Sequence, residues 1–477
     1  GIVDAKADAM RYMVRFSYPR RYTPNSPTLG VSEAEYKLIE AYYDKASVAV
    51  EYLESVDALK FQPFRMFAVD RDAPDYADHL PENKVPAGRA IQPAVGAGGA
   101  TGGNSLASQL DTWLRAKNAT VLTDTAATRL IRQDGRVIGV EAATGDGKTL
   151  RIKATRGVIF GTGGYAHNTQ LIDRHQIALY GSCAMPGAMG DFIAIAAEAG
   201  AAMGNLGTAW RSQVVLEEAL ENRMLARCAD YLPGDSMLVV DRRGKRAMNE
   251  KRDYNDRGRV HFTYDPVRED YPNQLLFKIF DERSIDSFGG SYPFPMPGET
   301  APGIFKADTL DALADMFGSH LAAISDKTGG FALDAEFKAN MLAEVEKYNG
   351  YAKGGRDPDF DRGLHDYDRA WHLLFSMRRE GTKFPVNPYP NITMHPLAPK
   401  GPYYGIILAG GALDTNGGPL INENGQVLDH ALNPIPGLYG AGNCIASPSR
   451  DAYWGAGCTI GLGLTYGYIA ALHAVGA

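Results

Sequence analysis

The chain has 477 residues, a length that suggests about two to four domains and a substantial hydrophobic core. Hydrophobic residues make up 45% of the sequence and charged residues 22%, which are values of a globular protein and exclude wholesale disorder. The net charge of -7 has the wrong sign for a protein that holds a phosphate backbone, so nucleic acid is not an expected partner.

The four cysteines are scattered, with neither a Cys-x-x-Cys pair nor a histidine at zinc spacing. Neither a disulfide framework nor a metal site is predicted, and a reducing, cytoplasmic location fits this pattern. The amino-terminal residues carry frequent charges and show no apolar signal segment. The longest apolar stretch, Gly455 to Ala477, is rich in small residues and is interpreted as a buried helix with at most peripheral membrane contact.

In chain order, the first predicted element is a helix from Ser32 to Leu59, where apolar residues recur at helical spacing behind a capping signal. The aromatic, proline-rich stretch from Phe61 to Pro93 has no clear period and is typical of an ordered segment that lines a site. A helix is predicted from Gly102 to Asn118, and strands follow at Thr120 to Leu122 and Ala126 to Gln133.

Asp134 and Gly135 then separate two strand-like runs, which predicts a hairpin. A later strand, ending in GVIF, runs directly into a glycine-rich turn at 161–164. A strand delivered into glycines is typical of a backbone that approaches a nucleotide. The next helix is predicted to open at Gly190, with Asp191 placed to cap it.

The middle of the chain is predicted to form an inserted α+β domain. It contains helices predicted at Thr309 to Met316 and Asp334 to Tyr348, together with the strand-like runs SMLVVD and LLFKIFD. The charged block from Asp241 to Arg259 mixes both signs, which favours a solvated, salt-bridged face over a substrate clamp.

The carboxyl-terminal segment combines a strand, GLYGAGN, with the loop SPSRDAYWGAG and a closing helix that begins near Thr459. Bare glycine amides followed by a helix amino terminus form a site for negative charge, either a phosphate or a developing oxyanion. Together with the earlier strand-to-glycine turn, this pattern favours nucleotide binding over plain helix–strand packing.

Five segments resemble, in order, those of a flavoprotein family that includes fumarate reductases and 3-ketosteroid dehydrogenases. They are TRLIRQDGRVIGVEA, ATRGVIFGTGGYAHN, GAMGDFIAIAAEAGA, DRRGKRAMNE, and GLYGAGN with GAGCTIGLGLTYGYIAA. The resemblance implies FAD as cofactor and a helix amino terminus that faces the pyrimidine edge of the flavin. By the same resemblance, FAD would contact Ala127, Thr162, Gly163, Gly164, Asp191, Gly442, Asn443, Thr459 and Ile460.

One feature departs from the family. Its members begin with a strand, a Gly-x-Gly-x-x-Gly turn and an acidic ribose-binding residue, and no such fingerprint lies near Gly1. Either the sequence lacks an amino-terminal piece, or it is a degenerate product that cannot hold FAD. We favour the first explanation because the other flavin segments are intact.

The loop that contains Tyr453 and Gly457 resembles the Tyr-Pro-Gly-x-Gly loop of 3-ketosteroid Δ1-dehydrogenases. A phenol and a backbone amide at these positions would both donate to a ketone oxygen, which polarises the carbonyl and stabilises its enolate. A dicarboxylate reductase is disfavoured because Tyr254 replaces the arginine expected after the lysine-arginine-asparagine-glutamate block. A dicarboxylate reductase remains an alternative, because Arg252, Arg257 or Arg450 could bind the substrate carboxylate instead.

Desaturation also needs a base for the α-proton, while the β-hydrogen leaves as hydride to the flavin. The segment DERSIDSFGGSYPF resembles the one that carries a catalytic tyrosine in the family, but Phe288 occupies the matching position and Tyr292 follows it. Tyr76 and His79 lie in a segment similar to a second tyrosine region, with His79 where a tyrosine is expected. Tyr292 and His79 are the candidate bases, and Tyr76 is a further catalytic candidate.

These observations predict an α/β protein with a discontinuous Rossmann-like FAD-binding domain at 1–235 and 392–477, interrupted by an α+β capping domain at 236–391. The expected activity is desaturation of a hydrophobic cyclic ketone, for which the resemblance implies a 3-ketosteroid, with the aromatic stretch Phe61 to His79 as an apolar wall. The alternatives are an enone or enoate reductase of the fumarate reductase type and a flavin-free binding module. The electron acceptor stays open, with a quinone as one candidate.

Overall fold

The structure, a computed structural model, describes residues 2–66, 70–375, 383 and 386–476. Parts of two predicted regions lie outside the described residues, namely 67–69 of the aromatic stretch and 376–382, 384 and 385 of the predicted capping domain. The helices are α1 (Lys6–Ser17), α2 (Glu33–Ser55), α3 (Gly102–Ala116), α4 (Thr169–His175), α5 (Asp191–Glu198), α6 (Leu216–Glu221), α7 (Tyr254–Arg259), α8 (Glu282–Phe288), α9 (Leu310–Ala323), α10 (Phe337–Gly354), α11 (Asp366–Phe375) and α12 (Cys458–Val475). The strands are β1 (Phe61–Pro63), β2 (Arg65–Met66), β3 (Arg71–Asp72), β4 (Ile91–Pro93), β5 (Thr125–Gln133), β6 (Arg136–Thr144), β7 (Thr149–Lys153), β8 (Val158–Phe160), β9 (Gly181–Ser182), β10 (Met203–Gly204), β11 (Ala209–Val215), β12 (Met237–Val240), β13 (Leu275–Asp281), β14 (Ile304–Ala307), β15 (Tyr403–Thr415), β16 (Gly418–Pro419), β17 (Gln426–Leu428) and β18 (Pro434–Gly440).

The largest sheet forms around the long strand β15. Strands β11 and β13 pair antiparallel with β15 on its two sides, and β12 extends the sheet beyond β13. All of β13 is buried, with Phe277 and Ile279 in an apolar cluster on one face and Leu276 and Phe280 in a cluster on the other. Burial of both faces explains why LLFKIFD is a nearly continuous apolar run rather than an alternating one.

Two parallel strands carry the glycine turns. β8 pairs in parallel with β18, with Val158 opposite Leu438 and Phe160 opposite Gly440. Because parallel strands end at the same edge of a sheet, the turns that follow them lie side by side. The Ala441 amide donates to the Phe160 carbonyl at 2.9 Å and joins the two turns. The predicted delivery of strands into glycine turns is confirmed.

Local sequence signals predicted most elements, with shifted ends. At α2, Ser32 and Glu35 form the predicted capping box. Asp134 and Gly135 have φ values of +48° and +78° at the hairpin between β5 and β6, as the predicted turn requires. The strand predicted at Thr120 to Leu122 is wrong, because these residues are irregular and no strand of the described chain pairs with them.

The predicted cap at Asp191 is also wrong. Helix α5 starts at Asp191 itself, and the capping residue is Gly190, which is left-handed with φ of +78°. A Cβ on Gly190 would lie 2.7 Å from the Tyr165 Cβ and 2.8 Å from the Leu171 Cδ1, so a glycine occupies the position. Asp191 is left in the first turn, where a carboxylate favours the helix dipole.

The charged block at 241–259 is largely buried, which contradicts the predicted solvated face. Arg246 forms two hydrogen bonds of 2.8 Å with Glu250 and one of 2.8 Å with Asp357, and Arg362 contacts Glu250 at 3.2 Å. Burial alone would raise the Glu250 pKa, but the two guanidinium charges outweigh it and lower that pKa to about 2. The interior accepts these charges because distant parts of the chain supply their counter-ions.

Helix α12 is a packed helix, as the sequence predicts. It contacts α2 and β18, and its residues Leu462, Tyr466 and Ile469 belong to a hydrophobic core cluster. The Tyr466 hydroxyl donates to the Leu38 carbonyl at 2.6 Å. By length and composition alone α12 could also cross a membrane, a property that core helices share.

Candidate active site

Asp414 anchors the turn after β8. The Gly164 amide donates to Asp414 Oδ2 at 2.8 Å. A Cβ on Gly164 would lie 2.4 Å from both Asp414 Oδ1 and the Thr415 carbonyl oxygen, so only glycine fits. Gly163 has a φ of +74° and Thr162 is exposed. The turn therefore presents Thr162 and Gly163 outward while Gly164 fixes it to β15.

Asp414 also holds the turn after β18. Asn443 Nδ2 donates to Asp414 Oδ2 at 3.1 Å, and Asn443 Oδ1 accepts from Trp210 Nε1 at 2.8 Å. Gly442 has a φ of +75°, and a Cβ there would lie 3.7 Å from the Gly463 Cα of α12. Burial raises the pKa of the Asp414 carboxyl, although the hydrogen bonds it accepts oppose the shift. One carboxyl group thus positions both glycine turns.

Helix α12 starts beside these turns with an open end. Its capping residue, Gly457, has a φ of +86°, and no atom lies within 4 Å of the position that a Cβ would take. Because it is a glycine, Gly457 supplies no side-chain cap to the first turn, in which the apolar Ile460 is 46% exposed. The amides of an uncapped helix start favour a negatively charged or electron-rich ligand.

These surroundings fit the FAD that the resemblance implies. Gly161 and Gly457 leave open space where a side chain would stand, so a ligand can approach the backbone closely. Thr162, Asn443 and Thr459 add hydroxyl and amide groups at the same edge, of the kind that bind phosphate, ribitol and pyrimidine oxygens.

The two other predicted FAD contacts lie at α5. Ala127 is half-buried on β5, which packs against α5, and Asp191 is exposed at the first residue of that helix. Their contact with FAD stays a prediction.

Five aromatic residues from distant parts of the chain meet beside the Gly457 loop, and we call them the aromatic cluster. Tyr76 stacks on Tyr453, with ring centroids 5.3 Å apart and an interplanar angle of 16°. Tyr254 packs edge-on against both rings, at 5.4 Å from Tyr76 and 5.3 Å from Tyr453. Tyr367 contacts Tyr76 at 5.3 Å, and Trp210 contacts Tyr453 at 5.2 Å. Through Trp210 the cluster is connected to Asn443 and hence to the glycine turns.

The phenol groups of the cluster interact with one another. The hydroxyl of Tyr254 interacts with those of Tyr76 and Tyr453, and Thr459 interacts with the Tyr453 oxygen through its hydroxyl and its amide. Burial raises the pKa of all three tyrosines, that of Tyr453 to about 12. Interaction with the Tyr254 hydroxyl opposes this rise at Tyr76 and Tyr453, because it favours their phenolate forms.

The candidate base Tyr292 lies apart from the aromatic cluster. Its hydroxyl donates to Glu218 Oε2 at 2.7 Å, and the Arg227 guanidinium lies 4.2 Å from its ring centroid. Phe288, at the position that matches the family tyrosine, is buried and contacts the His372 ring at 5.4 Å. The structure therefore places Tyr292 in a separate polar contact.

The candidate base His79 also lies outside the aromatic cluster. Its Nδ1 accepts from Arg252 Nη2 at 2.8 Å, and its ring contacts that of His365 at 5.3 Å. Of the catalytic residues predicted from the sequence, the structure brings together Tyr76, Tyr453 and Gly457.

The three arginines that would serve a carboxylate substrate are engaged elsewhere. Arg252 lies between Asp78 and Asp368, at 3.2 Å from each. Arg257 is buried and donates to oxygen atoms of the protein from all three of its nitrogens. Arg450 packs over a tyrosine ring, 5.3 Å from its centroid.

Sequence reasoning missed several residues at this site. Tyr254 carried a signal, since it replaces an arginine of the family. Nothing in the sequence singles out Trp210, whose role depends on contacts between distant residues.

The sequence is similar to those of known flavoproteins and ketone dehydrogenases. The sequence model of a family described as "FAD binding domain" matches residues 26–460. The 4-oxocyclohexanecarboxylate 2-dehydrogenase of Sinomonas cyclohexanicum is 31% identical over 340 residues, which cover 70% of this chain and 53% of that protein. The 3-oxosteroid 1-dehydrogenase of Mycolicibacterium smegmatis is 32% identical over 389 residues, covering 78% of this chain and 62% of that protein. The chain thus spans between 53% and 62% of the length of these relatives.

A solved structure shares the fold. The 3-ketosteroid Δ1-dehydrogenase of Sterolibacterium denitrificans, in complex with 1,4-androstadiene-3,17-dione, matches with a TM-score of 0.79 and 23% identity, over 100% of this chain and 89% of that one. The predicted flavoenzyme fold is confirmed, while the domain boundaries stay predictions. Because the family model covers most of the sequence, this chain belongs to the FAD binding domain family, whose cofactor is FAD.

Proposed function

We propose that the protein desaturates a hydrophobic cyclic ketone beside its carbonyl group. The observation that carries this proposal is the meeting of Tyr453, Gly457 and Tyr76 at the start of α12, beside the glycine turns. Both curated relatives described above are named as dehydrogenases of cyclic ketones, which supports the same reaction class.

Tyr453 and Gly457 would bind the ketone oxygen. The Tyr453 pKa of about 12 keeps its phenol protonated near neutral pH, so the hydroxyl can donate. The open space around Gly457 gives a ketone oxygen access to its amide. Both donors bind more strongly as negative charge develops on the oxygen, and they therefore stabilise the enolate more than the ketone.

Tyr76 would first lose its own proton to solvent, and its phenolate oxygen would then take the α-proton. Burial makes this phenolate costly, but interaction with the Tyr254 hydroxyl offsets part of the cost. Tyr254 thereby positions both Tyr76 and Tyr453. When bound, FAD supplies the acceptor for the β-hydride.

A reductase of the fumarate type is less well supported. It requires a cation that holds the substrate carboxylate, whereas Arg252, Arg257 and Arg450 are all engaged by other groups. A 3-ketosteroid substrate is a further part of the proposal and rests on the sequence resemblance, whereas a cytoplasmic location rests on the scattered cysteines. A quinone is one candidate for the electron acceptor.

An anaerobic absorbance titration of the FAD-loaded protein tests the proposal. We expect 4-androstene-3,17-dione or a monocyclic ketone to bleach the oxidised flavin band at ~450 nm and to yield the conjugated product. A flavin band that no ketone bleaches contradicts the proposal. Reoxidation of reduced enzyme by fumarate would instead support the reductase, and failure to bind FAD would support a binding module.

A further inference from the structure

Asp230 is an acidic residue that the reaction described above does not use. It lies in the segment between α6 and β12, and its side chain is accessible to water. Burial nevertheless raises its pKa to about 6, because protein atoms surround the carboxyl group on most sides. A side chain that is accessible to water and yet surrounded by protein atoms on most sides lies in a cleft rather than on a convex surface.

The carboxyl group of Asp230 has one neutral partner. Ser212 Oγ donates to Asp230 Oδ1 at 3.1 Å, and Ser212 is itself fully buried on β11. Within the described parts of the chain, Asp230 forms no ion pair. Arg257 is the nearby cation, but it donates to the Asp230 backbone carbonyl at 2.9 Å and to Gln213, Arg252 and Ala229.

Asp230 lies next to two elements that carry residues of the aromatic cluster. Its carboxyl group accepts from Ser212, two residues after Trp210 on β11, and its backbone carbonyl accepts from Arg257, three residues after Tyr254 on α7. In agreement with this position, its negative charge helps to raise the pKa of both Tyr76 and Tyr254. A ketone that reaches Tyr76 and Tyr453 would therefore approach a carboxylate whose charge is not neutralised by an ion pair.

We propose, on the basis of the proposed ketone desaturation, that Asp230 selects substrates without a carboxylate group. A negatively charged substrate would be repelled by this carboxylate, whose charge the Arg257 guanidinium offsets in part without forming an ion pair, whereas a neutral ketone would not be repelled. The inference separates this chain from the relative named for 4-oxocyclohexanecarboxylate, a ketone that carries a carboxylate.

The experiment compares 4-oxocyclohexanecarboxylate with its methyl ester, which has the same ring and ketone without the charge. The FAD-loaded protein should favour the ester by about 15- to 300-fold in kcat/KM, the range for two charges separated by about 5 to 10 Å at an effective dielectric near 20. Asp230→Asn should reduce this preference to about threefold or less, mainly through a lower KM for the acid.

Asp326→Asn, which removes an exposed charge elsewhere, is the matched control and should leave the preference unchanged. Equal turnover of acid and ester by the unmodified protein would overturn the proposal. A similar loss on both substrates in Asp230→Asn would also overturn it, since that result indicates a role in proton transfer or folding.

Calorimetry, which measures binding of the acid and the ester without turnover, distinguishes failure of the desaturation proposal from failure of the selection proposal. One outcome is that neither ketone is turned over, that the ester binds at least 10-fold more tightly than the acid, and that Asp230→Asn removes this preference. In that case the desaturation proposal fails and the selection proposal stands. If neither compound binds at millimolar concentration, both proposals fail.

Discussion

The ring of Tyr76 stacks on the ring of Tyr453, with centroids 5.3 Å apart, although the two residues lie at opposite ends of the chain. Tyr453 precedes the open start of α12, and Tyr76 comes from the aromatic stretch that is irregular in sequence. This contact places the proposed ketone donor, Tyr453, and the proposed proton acceptor, Tyr76, in one cluster. It also separates the roles of the tyrosines in a way that single substitutions can test.

Tyr453→Phe should remove a donor to the ketone oxygen while leaving the ring packing intact. We expect kcat/KM for a cyclic ketone to fall about 100- to 1,000-fold, the usual effect of losing one oxyanion donor. FAD content, measured from the absorbance of the folded protein, should not change. A loss smaller than about fivefold would show that the hydroxyl does not stabilise the enolate.

Tyr76→Phe and Tyr292→Phe form a matched pair that identifies the base. Tyr76→Phe should abolish exchange of the ketone α-hydrogen with D2O, followed by NMR, because its phenol oxygen takes that proton. Tyr292→Phe should keep the exchange within about threefold, since its hydroxyl is bonded to Glu218 at 2.7 Å. The opposite pattern would restore Tyr292 as the catalytic base.

Gly164→Ala should destabilise the glycine turn, whereas Gly161→Ala should not. The added Cβ at Gly164 would lie 2.4 Å from the Thr415 carbonyl oxygen, but at Gly161 no atom lies within 4 Å. We expect Gly164→Ala to lower the free energy of unfolding by about 1–3 kcal/mol, measured by urea denaturation without FAD. Equal stability of the two variants would contradict the packing described around Asp414.

Asp75 should make the protein less stable as the pH rises. It is buried, and although its pairing with Arg89 opposes the shift, burial raises its pKa from 3.8 to about 6. The folded state therefore binds this proton more tightly than the unfolded state. The resulting stabilisation is fully present below about pH 4 and is lost as the pH rises through 6.

Urea denaturation between pH 4 and 7 measures this effect. The Asp75 contribution is about 3 kcal/mol across that interval, at 1.36 kcal/mol per pH unit. Asp75→Asn should remove this part of the pH dependence, so the curves of the variant and the unmodified protein should differ in slope between pH 4 and 6. Parallel curves would show that the Asp75 pKa is close to its unfolded value.

The sequence alone determined the features that depend on neighbouring residues. A strand that runs into glycines, the Asp134–Gly135 turn and the Ser32 capping box are present because backbone conformation and local hydrogen bonds are set within a few residues. The loop of Tyr453 and Gly457 could be identified by its resemblance to a family loop, since both proposed donors lie within one short segment.

Only the tertiary structure decided which distant side chains meet. It brought Tyr254 and Tyr76 to Tyr453 and left Tyr292 with Glu218, because packing between separate elements determines these contacts. It also buried the charged block that the sequence predicted as solvated. The sequence shows the sign of each charge but not which distant residue is its counter-ion. The counter-ion decides whether that charge can be buried.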